Sequence, residues 1–217
     1  MTTIAEELAQ WAQAGRTVVH EADTKALLVR AGIAVPMRNP ATGACAVKLC
    51  SDRYPHKTEH GLVKLNVAVA DASRVGAGLA SADPGGVLLI EEMISDCVAE
   101  WIVGCRHDPT FGPIVVIGAG GILVELINEA KARLAPVDSA TAKHAIESQR
   151  ACALLRGLRG KPPGDLPALV QLVTAVSRFF AEHSAYIDQI EINPVIVRPD
   201  GLGAIAADAL LVMRGPG

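Results

Sequence analysis

Lys48 sits inside an apolar run, Ala44-Cys45-Ala46-Val47-Lys48-Leu49-Cys50. A lysine there must snorkel to the strand edge or meet a fixed anion. Eight residues on, His56-Lys57-Thr58 lies between Pro55 and Gly61. A neutral imidazole is nucleophilic near neutral pH, and an adjacent cation offsets an arriving phosphate. His56 is therefore a candidate phosphoryl acceptor, the plain alternative being a surface loop histidine. Near the C-terminus, Glu191 and Asn193 are two apart in the strand-like "EINPVIV", so both side chains leave one face. A Pro199-Asp200-Gly201 turn and a second apolar run containing Asp208 follow. A two-residue Asp200-Gly201 turn pairs positions summing to 401 and sets Asn193 opposite Asp208, two oxygen donors facing each other. A three-residue turn with a bulge pairs Asn193 with Ala207 instead, and local turn chemistry favours it.

A glycine turn is the other feature that could bind an anion. In "IVVIGAGGILVE", Gly118 and Gly120 match the first two positions of the dinucleotide fingerprint, but Leu123 occupies the third. Asp138, 20 residues after Gly118, stands where a ribose-binding acid would. That fold begins with its glycine turn, whereas 113 residues precede this run. A Rossmann-type oxidoreductase is accordingly the least favoured reading. The glycines fit either a plain turn or a backbone that lets N–H groups approach a phosphate.

The elements that must position these residues can be read from periodicity and punctuation. Helices are expected over 5–14, over 21–31 with Ala22, Ala26, Leu27 and Val29–Arg30 near its apolar edge and Gly32 as its stop, and over 71–79. Asp138 or Ser139 should cap a helix running to about residue 158. Asp165 should cap another, with Pro167 in its first turn and Leu169, Leu172, Val173, Val176 and Phe180 on one face. Strands are expected at 17–20, 44–49, 61–69, 87–90, 101–105 and 114–117, and a hairpin over 189–197 and 203–212. Strands mixed with helices give an α/β or α+β class.

Bulk properties narrow the function. Among 217 residues, 50% are hydrophobic but only 3% aromatic, which suits a core of Ala, Val, Leu and Ile. A net charge of -3 gives no reason to expect nucleic acid. The longest uncharged run, 109–124, has 16 residues with four glycines and two prolines, short of the ~20 a membrane helix needs. Five cysteines without a CxxC pair read as reduced thiols, and the N-terminus lacks a secretory pattern, so a soluble cytoplasmic protein is expected.

The run "GCRHDPTFGPIVVIGAGGILVELINEAKARLAP" from Gly104 resembles the ATP-grasp domain of ADP-forming acyl-CoA synthetases, the acetate–CoA ligases. Asp108, Pro109, Phe111, Gly112, Pro113, Gly118, Gly120, Gly121, Glu125, Arg133 and Pro136 carry the likeness, with His107 standing where the family has arginine. "EADTKALLVRAGIAVP", the Lys48 to His56-Lys57-Thr58 spacing, "LLIEEM", "EINPVIV" and "AADALL" extend it over most of 21–212. The resemblance implies an ATP-grasp fold of two lobes with a nucleotide cleft between them, residues 1–90 forming the first lobe and 91–217 the second. It implies that Lys48 holds the phosphates of ATP or ADP and that His56 carries phosphoryl. The hinge Glu91-Glu92-Met93 would hold adenine mainly through backbone groups, Glu100 the ribose, and Gly118, Gly120 and Gly121 a phosphate. Asn193 and Asp208, with Glu191, would hold Mg2+. A separate CoA-binding ligase chain is implied as partner, in a hetero-oligomer or homodimer. Where this chain departs from the family it is shorter: Pro36 and Lys48 are only 12 apart, with no room for the usual intervening helix, and Leu62 replaces one loop glycine. The N-terminal lobe is thus expected to be trimmed, and a non-catalytic nucleotide-binding or regulatory subunit is the alternative.

Overall fold

The computed structural model describes residues 2–54, 57–121, 129–157, 160 and 162–215. Two sheets carry the chain. The larger runs in the order β1 (Val18–Val19), β10 (Ala209–Met213), β8 (Ile187–Val197), β5 (Ala99–Asp108), β6 (Gly112–Ala119), β7 (Ala130–Leu134), with β9 (Ala204–Ala206) also paired to β8. The smaller is β3 (Val63–Ala68), β2 (Ala44–Cys50), β4 (Val87–Glu92). Every ladder among the described residues is antiparallel. A dinucleotide-binding fold needs parallel strands at its glycine turn, so the oxidoreductase alternative is set aside. Asp138 has a local task instead: it caps α4 (Ser139–Glu147), accepting from Thr141 N–H at 2.7 Å.

One face of the larger sheet is covered by helices. α5 (Leu166–Glu182) packs on β5, β6 and β8, and α4 packs on α5. The predicted start of α5 is present: Asp165 accepts from Ala168 N–H at 2.9 Å, with Pro167 in the first turn. The helix expected to reach residue 158 instead stops at Glu147. A 3-10 segment, Arg150–Arg156, follows, and between them the buried Gln149 side chain donates to the carbonyls of Ile117 and Ala145. β7, "AKARL", was not anticipated, since alanine and lysine carry little strand preference; as an edge strand it needs little.

α1 (Ile4–Gln13) and α2 (Glu21–Arg30) also belong to the larger core, through Leu8, Leu27 and Leu28, and Val19 of β1 lies there too. The packing therefore divides the chain differently from a boundary at residue 90: the smaller unit spans 44–92, and the N-terminal helices lie with the large sheet. Its own core is Cys45, Val47, Leu49, Leu62, Ala72 and Leu79, closed by α3 (Ala72–Ala80). α2 joins the two bodies. Leu27 and Leu28 face the large core, while Ala22 meets Cys50 and Leu89 of the small sheet. The expected apolar edge of α2 holds at Ala22 and Leu27 and fails at Ala26, which is exposed, and Val29, 56% exposed, while Glu21, Thr24 and Lys25 are buried in their place. No helix lies between α2 and β2. Instead the segment runs beside β4, with Asn39 N–H donating to Ile90 O and Glu92 N–H to Met37 O. The trimmed connection thus serves as an extra edge for the small sheet.

Candidate functional site

Strand alternation aims the first set of side chains. In β2, Cys45, Val47 and Leu49 point into the small core, so Ala46 and Lys48 face the other way. Glu91 lies opposite Ala46 on β4 and shares that face. α2 approaches it with Glu21 and Lys25, one turn apart. The result is a buried ion cluster. Glu21 Oε1 accepts from Lys25 at 2.7 Å and Lys48 at 2.5 Å, and Glu21 Oε2 from Lys57 at 3.0 Å. Glu91 Oε2 accepts from Lys25 at 2.6 Å and lies 3.2 Å from Lys48. Lys57 also meets Asp208 Oδ1 at 3.0 Å. Three ammonium groups face three carboxylates, so the cluster is formally neutral.

The larger sheet supplies the opposite wall. Ile190, Ile192 and Val195 of β8 are buried on the helix side, leaving Glu191 and Asn193 on the open side. Ala209 pairs with Ile192 and Ala206 with Val195, so the two-residue turn is the one adopted and Asn193 lies opposite Asp208. Gly201 takes φ +80° and Gly203 φ +95°, which absorbs the geometry that local turn chemistry resisted. The strand pauses between β9 and β10, and the freed carbonyl of Ala207 accepts from both Lys25 and Lys48 at 2.8 Å.

Between these walls lies a cleft of about 230 Å³, lined by Ala46, Lys48, Met93, Glu100, Ile196 and Asp208 among others. A second hollow, lined by Lys57, Thr58, Glu191, Asn193 and Asp208, adjoins it through Thr58 and Asp208. The oxygen donors of Glu191, Asn193 and Asp208 thus share one hollow, a donor set suited to a hard divalent cation. Among the described residues no group of three His, Cys, Asp or Glu side chains could hold a metal alone.

Several expected ligands sit otherwise than anticipated. Glu91 turns its carboxylate into the lysines, with Oε1 buried and lacking a hydrogen-bond partner among the described residues. The amides of Glu92 and Met93, expected to face adenine, donate within the fold instead, to Met37 O at 2.9 Å and Ala44 O at 3.1 Å, and Ile94 also lines the cleft. Gly120 N–H donates to Glu100 O at 2.8 Å, and a Cβ there would stand 2.9 Å from backbone atoms of Glu100 and Trp101. Gly118 is less closely confined: a Cβ there would stand 3.3 Å from Ala130 Cβ, Glu129 O and Ile102 Cγ2. Both glycines thus serve close strand packing, and of the three glycines expected on a phosphate, Gly120 has its amide engaged within the fold. Gly121 adopts φ +63° against the Glu100 carboxylate, which a side chain there would strike. His56 lies outside the described residues.

Sequence reading missed Glu21 and Lys25. The mark they leave, an i, i+4 charged pair, is equally that of a solvated helix face. Burial opposes ionisation of Glu21, but Lys48, Lys25 and Lys57 outweigh it and hold its carboxyl well below the usual range. Lys48 loses by burial and gains more from Glu21, Glu91 and Asp208, so it stays charged. Asp208 is pushed up by burial and by Glu21, against the pull of Lys57 and Lys48. The Cys50 thiol, raised to about 12 by burial and by Glu21, is no nucleophile. Because the folded state lowers the Glu21 pKa, its contribution to stability is complete above the ordinary glutamate value of about 4.3 and is lost as pH falls below it. In a scan of Tm against pH, Glu21→Gln should therefore show a shallower acid limb than the wild type. An unchanged limb would mean that Glu21 is not ionised in the fold.

The chain matches the ATP-grasp domain family over residues 10–213. It is 29% identical over 233 aligned residues to the acetate–CoA ligase [ADP-forming] II subunit beta of Pyrococcus furiosus, covering 98% of this chain and 97% of that protein. It is 32% identical to acetate–CoA ligase [ADP-forming] I of Archaeoglobus fulgidus over 73% of this chain but only 24% of that longer protein. A solved Ca. Korarchaeum cryptofilum dinucleotide forming acetyl-coenzyme A synthetase 1 superimposes with a TM-score of 0.81 at 27% identity, covering 97% of this chain and all of the matched chain. That structure is in complex with coenzyme A and Mg-AMPPCP, its phosphohistidine segment pointing towards the nucleotide binding site. This chain belongs to the ATP-grasp domain family and is a homologue of the β subunits of ADP-forming acetate–CoA ligases.

Proposed function

We propose that this chain is the nucleotide- and phosphoryl-handling subunit of an ADP-forming acyl-CoA synthetase, working with a separate CoA-binding chain. The overall reaction would join a carboxylic acid and CoA at the expense of ATP, releasing ADP and phosphate. The observation that carries this reading is convergence: Lys48 and Lys57 from one side and Asp208 from the other line adjoining hollows with Asn193, Met93 and Glu100.

In this reading Lys48 and Lys57 bind phosphate oxygens, Glu100 takes the ribose hydroxyls, and the 93–94 stretch meets the base. Glu191, Asn193 and Asp208 would hold Mg2+, which when bound neutralises charge on the transferring phosphoryl group. His56 attacks the γ-phosphorus: an N–P bond forms at the imidazole as the P–O bond to ADP breaks. The N–P bond then breaks as the phosphoryl group passes, with the partner chain, to a carboxylate oxygen of the acid, and the sulfur of CoA would displace inorganic phosphate from the acyl phosphate so formed. The reaction can run in reverse, from acyl phosphate to ATP. No helix among the described residues is long and apolar enough to cross a membrane, and a cytoplasmic location is part of the proposal.

The test is incubation with Mg-ATP and the co-purified partner, followed by mass spectrometry for acid-labile phosphate. Phosphate on His56, absent in His56→Ala, is the expected result. A second reading, a regulatory nucleotide-binding subunit, draws support from the missing helix before β2. It would be preferred if ADP binds in calorimetry while His56 stays unmodified with the partner present.

A further inference from the structure

Glu21 is the first residue of α2 and is 1% exposed. A carboxylate buried that deeply is tolerated only when paired. Here it is paired with every lysine of the cluster: Oε1 with Lys25 and Lys48, Oε2 with Lys57. Lys48 stands on β2, and Lys57 lies beyond the end of that strand. Their other contacts diverge, Lys48 going to Glu91 and Ala207 O, and Lys57 to Asp208. Glu21 is the carboxylate among the described residues that touches both.

We propose that Glu21 is a positioning residue for polyphosphate binding: its two oxygens fix the spacing of Lys48 and Lys57 so that both ammonium groups are set before the nucleotide arrives. The inference rests on the nucleotide reading of the cleft. Lysine stems are flexible, and freedom removed in advance need not be lost on binding. An ammonium has three donors. Among the described residues Lys57 uses two, leaving one for phosphate, and the longest contact of Lys48, 3.2 Å to Glu91, is the one it can most readily exchange. Lys25 completes the device from below. It bonds Glu21, Glu91 and Ala207 O, which holds the carboxylates in place while its own donors are filled.

The test compares adenosine with ADP by calorimetry in the presence of Mg2+, because Glu21 should act on the phosphates and not on the nucleoside. Wild-type protein should bind ADP at least about tenfold more tightly than adenosine. Glu21→Gln, which keeps the shape and removes the charge, should lose most of that preference while its affinity for adenosine stays within about twofold. A second variant guards against misfolding. Glu21→Gln combined with Lys25→Met removes acid and base together and leaves Lys48 and Lys57 balanced by Glu91 and Asp208. It should show the same loss. A folded variant of either kind that retains the ADP preference overturns the role of Glu21, and so does an equal fall in both affinities, which marks a purely structural residue. Wild-type protein with no preference for ADP over adenosine overturns the nucleotide reading itself, a failure seen before any variant is made.

Discussion

Lys48→Met should leave a folded protein that scarcely handles phosphoryl groups. The lysine is 6% exposed and touches Glu21, Glu91 and the Ala207 carbonyl. Removing one member of a buried ion pair commonly costs about 3–5 kcal/mol, because the partner is left charged and alone. That penalty is moderated here. Glu21 keeps Lys25 and Lys57, and Glu91 keeps Lys25, so no carboxylate is abandoned. Methionine fills the volume, and a loss near or below the lower end of that range is expected in urea unfolding. The chemistry has no such redundancy. A cation fixed against the transferring phosphoryl group contributes most where charge develops, and its loss should slow phosphohistidine formation by about 10²- to 10³-fold. Rapid-quench measurement with Mg-ATP reads this directly. A rate within threefold of wild type, in a protein with wild-type circular dichroism, would falsify the placement of Lys48 on the phosphates.

What the sequence made legible was largely what repeats with a period or ends at a cap. Asp165, Pro167 and the Leu169–Phe180 stripe announced α5 because capping and a 3.6-residue repeat act locally. Lys48 was legible because an ammonium in an apolar strand has few places to go. Glu21 and Lys25 were hidden by the opposite circumstance. An i, i+4 acid–base pair is the ordinary mark of a solvated helix face, and only the position of α2 between two sheets turns it inward.

The most recognisable stretch illustrates a different gap. Asp108-Pro109-Thr110-Phe111-Gly112-Pro113 carried much of the resemblance, yet it makes the β5–β6 turn, at the opposite end of β5 from Glu100. There Asp108 Oδ1 accepts from Thr110 N–H at 2.9 Å and Phe111 N–H at 3.0 Å, and Gly112 takes φ +76°. Motif strength here marks demanding backbone geometry rather than proximity to the chemistry. The glycine run teaches the same lesson: a Cβ at Gly120 would stand 2.9 Å from the backbone of Glu100 and Trp101, and one at Gly118 3.3 Å from its neighbours. A glycine admits whatever must come close, and the sequence does not say whether that is a phosphate or a strand.

The hairpin register bears on the second large effect. Two turn geometries were compatible with Pro199-Asp200-Gly201, and one residue of slip would have sent Asp208 to the helix-covered face. The adopted register sets Asp208 against Asn193 on the open face, beside Glu191. Burial and Glu21 make ionisation of Asp208 unfavourable there, so the fold carries this carboxylate at a cost, a pattern expected of residues kept for function. Asp208→Asn should accordingly melt at or above the wild-type temperature, with Lys57 still held by Glu21. Its metal-dependent phosphoryl transfer should fall about 10³-fold, equivalent to several kcal/mol of lost charge stabilisation, and Mn2+ binding followed by electron paramagnetic resonance in the presence of ADP should weaken in parallel. Affinity for ADP in EDTA should change little, because the lysines remain. If the variant instead melts well below wild type while its Mn2+ affinity is preserved, Asp208 is a structural partner of Lys57 and the cation belongs elsewhere in the cleft.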